Sequence, residues 1–420
     1  MPTEKLKVVI INTAETKGGA AVACNRLHIG LNELGVNSKM LVRHKSSSDK
    51  SVFEFTKSKW SMRWNLFQFY VELFFLKFFK TKNYDFSIPY FGPKLENHPL
   101  IKDADVVHIH WAQNSYLSLS TLEHLKKLNK PIVWTLHDMW AFTGGCHYNQ
   151  SCRKFETECF QCPQLKNQHL IDLSNWIFKQ KQNIYSDKFH IVTPSNWLSA
   201  EAKKSKLFSN NNISTIPYNI DFNLFKPQEK KSSKEYFGIN PEKKIILFVS
   251  MNVEDPRKGF DYLRRAIIEL ERTIPNWKEQ YEVLAIGRNS DEQYFETKIH
   301  FTGRLSSFDI ISKAYSAADV FVAPSVQDNL PNTVIESLSC GTPVVAFNIG
   351  GMPDMIEHNY NGSLAEFGNI EALSKGILDC LTKDFRNNCI ESAQRKFSTK
   401  KEVQKYIDLY SQLIESCPSN

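Results

Sequence analysis

Short apolar, β-branched runs alternate with segments of helical period along this chain, and they do so twice. Leu6 to Asn12, Ser38 to Val42, Asp105 to His110, Pro131 to Leu136, His190 to Pro194 and Ile213 to Pro217 read as buried strands. After a polar, charged stretch at 228–244, the pattern resumes with Ile245 to Ser250, Val283 to Ile286, Ile299 to Phe301, Val320 to Ala323 and Pro343 to Ala346. Helical spacing fills the intervals, as in Ala20 to Leu34, where Val22, Leu27, Leu31 and Leu34 recur and Gly35 follows as a stop. The alternation predicts an α/β fold of two doubly wound, Rossmann-like domains facing a cleft. The expected division is 1–226, 227–400 and a C-terminal helix at 401–420 that crosses back to the first domain.

One strand–loop–helix unit concentrates the chemistry. Val320 to Ala323 leads through Pro324 and Ser325 into a tight polar loop of Asp328, Asn329, Leu330 and Pro331. A short helix over Thr333 to Ser339 follows, with Gly341 behind it. Two acids result, Asp328 on the loop and Glu336 about a turn into the helix. Loop amides and a helix N-terminus lie between them, at the carboxyl end of a parallel strand, where open α/β sheets bind ligands. Thr333 and Glu336 also fit a capping box, in which Glu336 would serve only its own helix. In the loop Asn252 to Gly259, Arg257 and Lys258 stand at the start of another helix. A cation there opposes the helix dipole, and a bound polyanion would offset that cost.

Four other segments carry candidates. Gly18 and Gly19 follow the first strand, where they either approach a ligand or only permit the turn. His137 directly follows the strand Pro131 to Leu136, placed either to point into a cleft or to bond a strand-end carbonyl. Cys146, Cys152, Cys159 and Cys162 fall in one short segment ending in a Cys-x2-Cys pair, the spacing of a zinc half-site, with His147 as a spare ligand. These four predict a structural Zn²⁺ that folds the loop. Lys59 to Lys80 places Trp60, Trp64, Phe67, Val71, Phe74, Phe75 and Phe78 at helical spacing, with Asn65, Gln68 and Glu72 on another face and basic residues among them. It is either a core helix or one lying in the interface of an anionic membrane.

Taken together, these segments resemble glycosyltransferase family 4. Asp328 and Glu336 keep the separation of that family's two glutamates; His137-Asp138-Met139-Trp140 and Gly350-Gly351-Met352-Pro353-Asp354 match two further landmarks; and Asp221 through Phe225-Lys226-Pro227 resembles its domain-junction segment. The resemblance implies a GT-B fold and transfer of a sugar from a nucleotide-sugar to an acceptor hydroxyl with retention at the anomeric carbon. It assigns catalysis to His137, Lys258, Asp328 and Glu336. By the same resemblance, Lys258, with Arg257, clamps the donor diphosphate, which Gly18 and Gly19 approach. Asp328, Asn329 and Leu330 hold the sugar, Glu336 the ribose, and no cofactor is required for catalysis. Asp328 replaces the family's glutamate, Asn329-Leu330-Pro331 replaces its Gly-aromatic-Gly, and Asn252 stands where an arginine is usual. Pro331 has no N–H to offer a sugar hydroxyl. A nucleotide-sugar 2-epimerase of the same fold, or a non-catalytic membrane-assembly factor, are the alternatives.

Composition narrows the partners. A net charge of +7 suits anionic small molecules or an anionic membrane surface, and no nucleic-acid-binding motif accompanies it. The opening MPTEKLKVVIIN lacks a signal peptide's long apolar core, so the nine cysteines read as thiols or metal ligands. The expected setting is cytoplasmic, peripheral on the inner face of the plasma membrane, with a lipid-linked saccharide as acceptor.

Overall fold

The computed structural model describes residues 5–56, 58–79, 81, 85–166, 172–185, 188–288 and 295–417. The chain forms two compact units, one of residues 1–219 with 399–420 and one of residues 220–398.

The first unit runs β1 (Lys7–Ala14), α1 (Gly19–Glu33), β2 (Asn37–His44), β3 (Val52–Glu54), α2 (Lys59–Phe79), α3 (Pro99–Asp103), β4 (Val106–Ile109), α4 (Leu119–Lys126), β5 (Ile132–Thr135), α5 (Leu173–Ile184), β6 (Phe189–Thr193), α6 (Asn196–Lys204) and β7 (Ile213–Thr215). Its seven strands pair in parallel in the order β3-β2-β1-β4-β5-β6-β7, so the order reverses between β1 and β4. Alternation along β1 divides the core. Val9 and Ile11 join Trp134, Phe178 and Phe189, while Val8 and Ile10 join Leu27, Leu31 and residues from the far C-terminus. Both faces of the sheet are therefore covered, as a parallel sheet requires.

The second unit runs α7 (Lys230–Tyr236), β8 (Lys244–Asn252), α8 (Phe260–Thr273), α9 (Trp277–Gln280), β9 (Tyr281–Arg288), β10 (Ile299–Phe301), α10 (Phe308–Ala317), β11 (Val320–Ala323), α11 (Asn332–Ser339), β12 (Val344–Phe347), α12 (Met352–Met355), β13 (Gly362–Ala365), α13 (Ile370–Thr382) and α14 (Arg386–Phe397). Six parallel strands lie in the order β10-β9-β8-β11-β12-β13, and the order reverses between β8 and β11. The helix α15 (Thr399–Glu415) then belongs to the first unit. It crosses α1 so closely that a Cβ on Gly30 would sit 2.7 Å from a methyl of Val403. Its Tyr410 hydroxyl meets His108 Nδ1 at 2.7 Å.

Two elements contradict their composition. Residues 228–244 read as a polar connector, yet they contain α7, whose first amides, those of Lys231 and Ser232, are capped by the Glu229 carboxylate. The aromatic stripe of α2 does not form core. Asn65, Glu72 and Leu76 are its buried residues, and Trp60, Trp64, Phe67, Phe74 and Phe78 are exposed. Among the described residues no helix is long and apolar enough to cross a membrane.

Candidate active site

In the second unit the loops after β8, β11 and β12 meet at the place where the strand order reverses. The turn Pro256–Lys258 is started by Asp255, whose carboxylate accepts the Arg257 N–H at 3.0 Å, and it ends at Gly259 in the left-handed region (φ 74°). A Cβ on Gly259 would lie 1.9 Å from the Pro324 carbonyl oxygen, so only glycine lets the two backbones approach. Val326 N–H donates to Arg257 O at 2.9 Å and locks the loops together. On the third loop, Gly350 (φ 55°) packs on the Asp328 carbonyl oxygen, which also accepts Gly351 N–H at 3.2 Å.

This joint brings Lys258 and Asp328 into one ion pair. Lys258 Nζ donates to Asp328 Oδ2 at 2.6 Å, and Arg257 Nη1 lies 3.4 Å from the same oxygen. Asn329 N–H donates to the other carboxylate oxygen, Oδ1, at 3.1 Å. Burial opposes ionisation of Asp328, but Lys258 first, then Arg257 and the Asn329 amide, hold its carboxyl below the usual range. Arg257 Nη2 also lies 3.8 Å from Asp255 Oδ2, so two carboxylates balance the two cations, and Lys258 and Arg257 are the groups on these loops that an anionic ligand would engage. Asn329 and Leu330 are buried beside it.

Glu336 lies inside α11, where the Tyr315 hydroxyl donates to its Oε2 at 3.1 Å. The N-cap of α11 is Pro331, and Thr333 falls within the helix, so the capping box that Thr333 and Glu336 suggest is not formed. Neither Tyr315 as the seat of Glu336 nor the direct pairing of Lys258 with Asp328 was visible in the sequence. The partners are 21 and 70 positions apart.

The remaining candidates lie in the first unit. Gly18 caps α1 at φ 99°, and a Cβ there would touch nothing within 4 Å. Its positive φ is thus the only demand the fold makes on it, and Gly19 opens the helix. His137, just past β5, shares hydrogen bonds with Tyr218 OH at 2.7 Å and His110 Nδ1 at 3.0 Å. Asp138 accepts from Trp111 Nε1 at 2.9 Å and pairs with His147 Nδ1 at 2.6 Å, while His147 Nε2 meets Ser87 Oγ at 2.8 Å. Both ring nitrogens of His147 are therefore committed, which removes it as a spare metal ligand. Cys146, Cys152, Cys159 and Cys162 are free thiols lining one cavity of about 20 Å³. Among the described residues no group of three or more His, Cys, Asp or Glu is gathered to hold a metal ion. The zinc expectation thus has a shared cavity behind it but no ready ligand set.

The buried histidines give the fold a pH dependence. Burial lowers His28 and His137 to about 4 and His108 to about 3. A histidine depressed in the folded state takes up its proton on unfolding, so stability rises with pH between the folded and unfolded values. His147 acts in the opposite sense: burial would lower it, but Asp138 raises it, so its contribution fades as pH rises through its folded value. Burial also lowers His110, and His44, His98 and His190 shift the same way, so the depressed histidines outweigh the raised one. The urea midpoint is therefore expected to fall progressively from about pH 6.5 toward pH 4, and a midpoint flat over that interval would contradict neutral burial of these rings.

Comparison with known proteins adds the following. Residues 17–224 match the family model described as Glycosyltransferase Family 4, and residues 243–383 match that described as Glycosyl transferases group 1. D-inositol 3-phosphate glycosyltransferase 2 of Catenulispora acidiphila is 30% identical over 221 residues, 48% of this chain and 51% of that protein. N-acetyl-alpha-D-glucosaminyl L-malate synthase of Bacillus anthracis is 20% identical over 215 residues, 49% of this chain and 55% of that protein. The chain thus spans about half the length of the curated relatives it matches. Among solved structures, sucrose-phosphate synthase from Thermosynechococcus elongatus superposes with a TM-score of 0.67 at 17% identity, covering 98% of this chain and 100% of that one. Anabaena HepE in complex with UDP and glucose superposes with a TM-score of 0.62 at 16% identity, covering 97% and 100%. At these identities the structural likeness is one of fold.

Proposed function

Because this chain belongs to glycosyltransferase family 4, we propose that it transfers a sugar from a nucleotide-sugar to a hydroxyl of a lipid-linked saccharide, with retention at the anomeric carbon. The observation that carries the reading is the Lys258–Asp328 ion pair at the point where the strand order of the second sheet reverses, with Glu336 on the adjoining helix. Departure of a nucleoside diphosphate builds negative charge on its phosphates, and Lys258 and Arg257 supply positive charge where that happens. Asp328 holds Lys258 in place and offers a carboxylate to the sugar side. Glu336, steadied by Tyr315, is a rigid acceptor of the kind a ribose diol needs. The UDP and glucose bound by HepE make UDP and UDP-glucose the first ligands to try.

A thermal-shift series with nucleoside diphosphates and nucleotide-sugars tests this, since a ligand that binds only the folded chain raises its melting temperature. One nucleoside diphosphate should stand out, and Glu336→Gln should weaken it by about tenfold or more, the effect of one charged hydrogen bond. Full affinity and full transfer activity in Glu336→Gln would remove Glu336 from the site.

A further inference from the structure

Helix α2 is mounted with its polar side inward. Glu72 Oε1 accepts the Ile88 N–H at 3.0 Å, and Ser115 Oγ donates to Glu72 Oε2. Arg43 donates to Asn65 O at 3.1 Å and to Asn114 O, and its guanidinium sits 5.2 Å from the centre of the Phe69 ring. Ser115, which receives Glu72, and its neighbour Asn114, whose carbonyl holds Arg43, both lie in the left-handed region, at φ 59° and 61°. Non-glycine residues are uncommon in that region, so the fold accepts local strain to seat the polar face. Leu76 anchors the helix further along by packing with Phe86, Leu165 and Ile177. Backbone bonds from Lys166 N–H to Phe79 O (2.8 Å) and Thr81 N–H to Gln164 O (2.9 Å) tie its end to the cysteine loop.

What remains outward is apolar. Half of the exposed large apolar side chains among the described residues belong to this one helix, with Trp60 80%, Trp64 60%, Tyr70 60% and Phe74 60% exposed. Lys59, Arg63 and Lys77 are exposed among them. Soluble proteins rarely leave so continuous an apolar surface to water, and such surfaces mark binding sites.

We infer that the outward face of α2 docks on the surface of an anionic lipid bilayer, the helix lying in the plane of the headgroups. Three features select lipid over a protein partner. The exposed aromatics run from one end of the helix to the other, without the confined core and polar rim of a protein interface. Tryptophan and tyrosine, which favour the headgroup zone, are prominent among them. The interspersed cations complement anionic headgroups, and long lysine and arginine stems can lie along the apolar zone with their charges in the headgroups. The Glu72 carboxylate bonds and the Arg43 bond to the Asn65 backbone carbonyl keep the helix from rolling over to bury its aromatics. The inference stands apart from the sugar-transfer reading, because it needs no activity.

Co-sedimentation of the full chain with vesicles tests it. Binding is expected to vesicles of phosphatidylcholine with phosphatidylglycerol, weaker to phosphatidylcholine alone, and weaker as salt screens the headgroup attraction. Trp64→Gln with Phe67→Gln, Phe74→Gln and Phe78→Gln changes only exposed positions. This variant should keep the melting temperature and lose vesicle binding by at least tenfold. Binding to neither vesicle by the wild-type chain, or unchanged binding by the folded variant, would overturn the inference. So would a wild-type dimer that the variant converts to monomer, if neither binds vesicles; the covered face would then be a contact between copies of this chain.

Discussion

Lys258→Ala should lower kcat/KM for sugar transfer roughly a hundredfold, the usual effect of removing one charged group aimed at developing negative charge. It should also destabilise the second unit, since Asp328, with 9% of its side chain exposed, loses its 2.6 Å cation and keeps the more distant Arg257 at 3.4 Å beside its hydrogen bonds from Asn329 N–H and Ser325 Oγ. That loss is expected to be on the order of 1–3 kcal/mol. The double variant Lys258→Met with Asp328→Asn removes both charges together, and should recover most of the stability while transfer stays low. Asp328→Asn alone releases Lys258 from its carboxylate. The bare nucleoside diphosphate should then bind at least as tightly as to the wild type, while turnover falls. Equal losses of diphosphate affinity in both single variants would show that the pair acts as one binding unit and not as cation and counter-ion.

The second large effect comes from a backbone. Gly350→Ala should unseat the Asp328 loop, because the new methyl would lie 2.0 Å from Asp328 O. Gly303 supplies the control. It has φ 68°, close to the 55° of Gly350, but open space where its Cβ would project. Gly303→Ala should therefore cost only the left-handed penalty, about 1–2 kcal/mol. Gly350→Ala should cost clearly more and should abolish transfer. Calorimetric melting of both variants, with activity alongside, separates the two contributions. If they melt together and both retain activity, the Gly350 contact with Asp328 has no role in shaping the site.

Much of this architecture was legible in the residues. Runs such as Val8 to Ile11 and Val320 to Ala323 lie in strands because both faces of each sheet are covered. A strand buried on both faces is written as an unbroken apolar run. Lys258 and Asp328 were found singly because each follows such a run. Their pairing was not, since it depends on β8 lying beside β11, which no local pattern encodes. Helix α7 was missed because its short polar sequence carries little periodicity and its cap is a glutamate. Helix α2 shows the limit most plainly. Aromatic periodicity fixes that a helix forms but not which side turns inward, and here Arg43, Ile88 and Ser115, distant in sequence, decide it in favour of Asn65 and Glu72.

The return of α15 to the first unit has a consequence for biosynthesis. Residues 220–398 form an uninterrupted insertion, whereas the first unit is assembled from two pieces of chain separated by that insertion. On a ribosome the inserted unit can close as soon as its own residues emerge. The earlier-made unit must wait, with the apolar side that Val8, Ile10 and the α1 residues Leu27 and Leu31 form only partly covered until Val403, Tyr406 and Tyr410 arrive. The first domain to be started is therefore the last to be finished, and throughout that interval it presents the kind of sticky, half-built surface that chaperones guard.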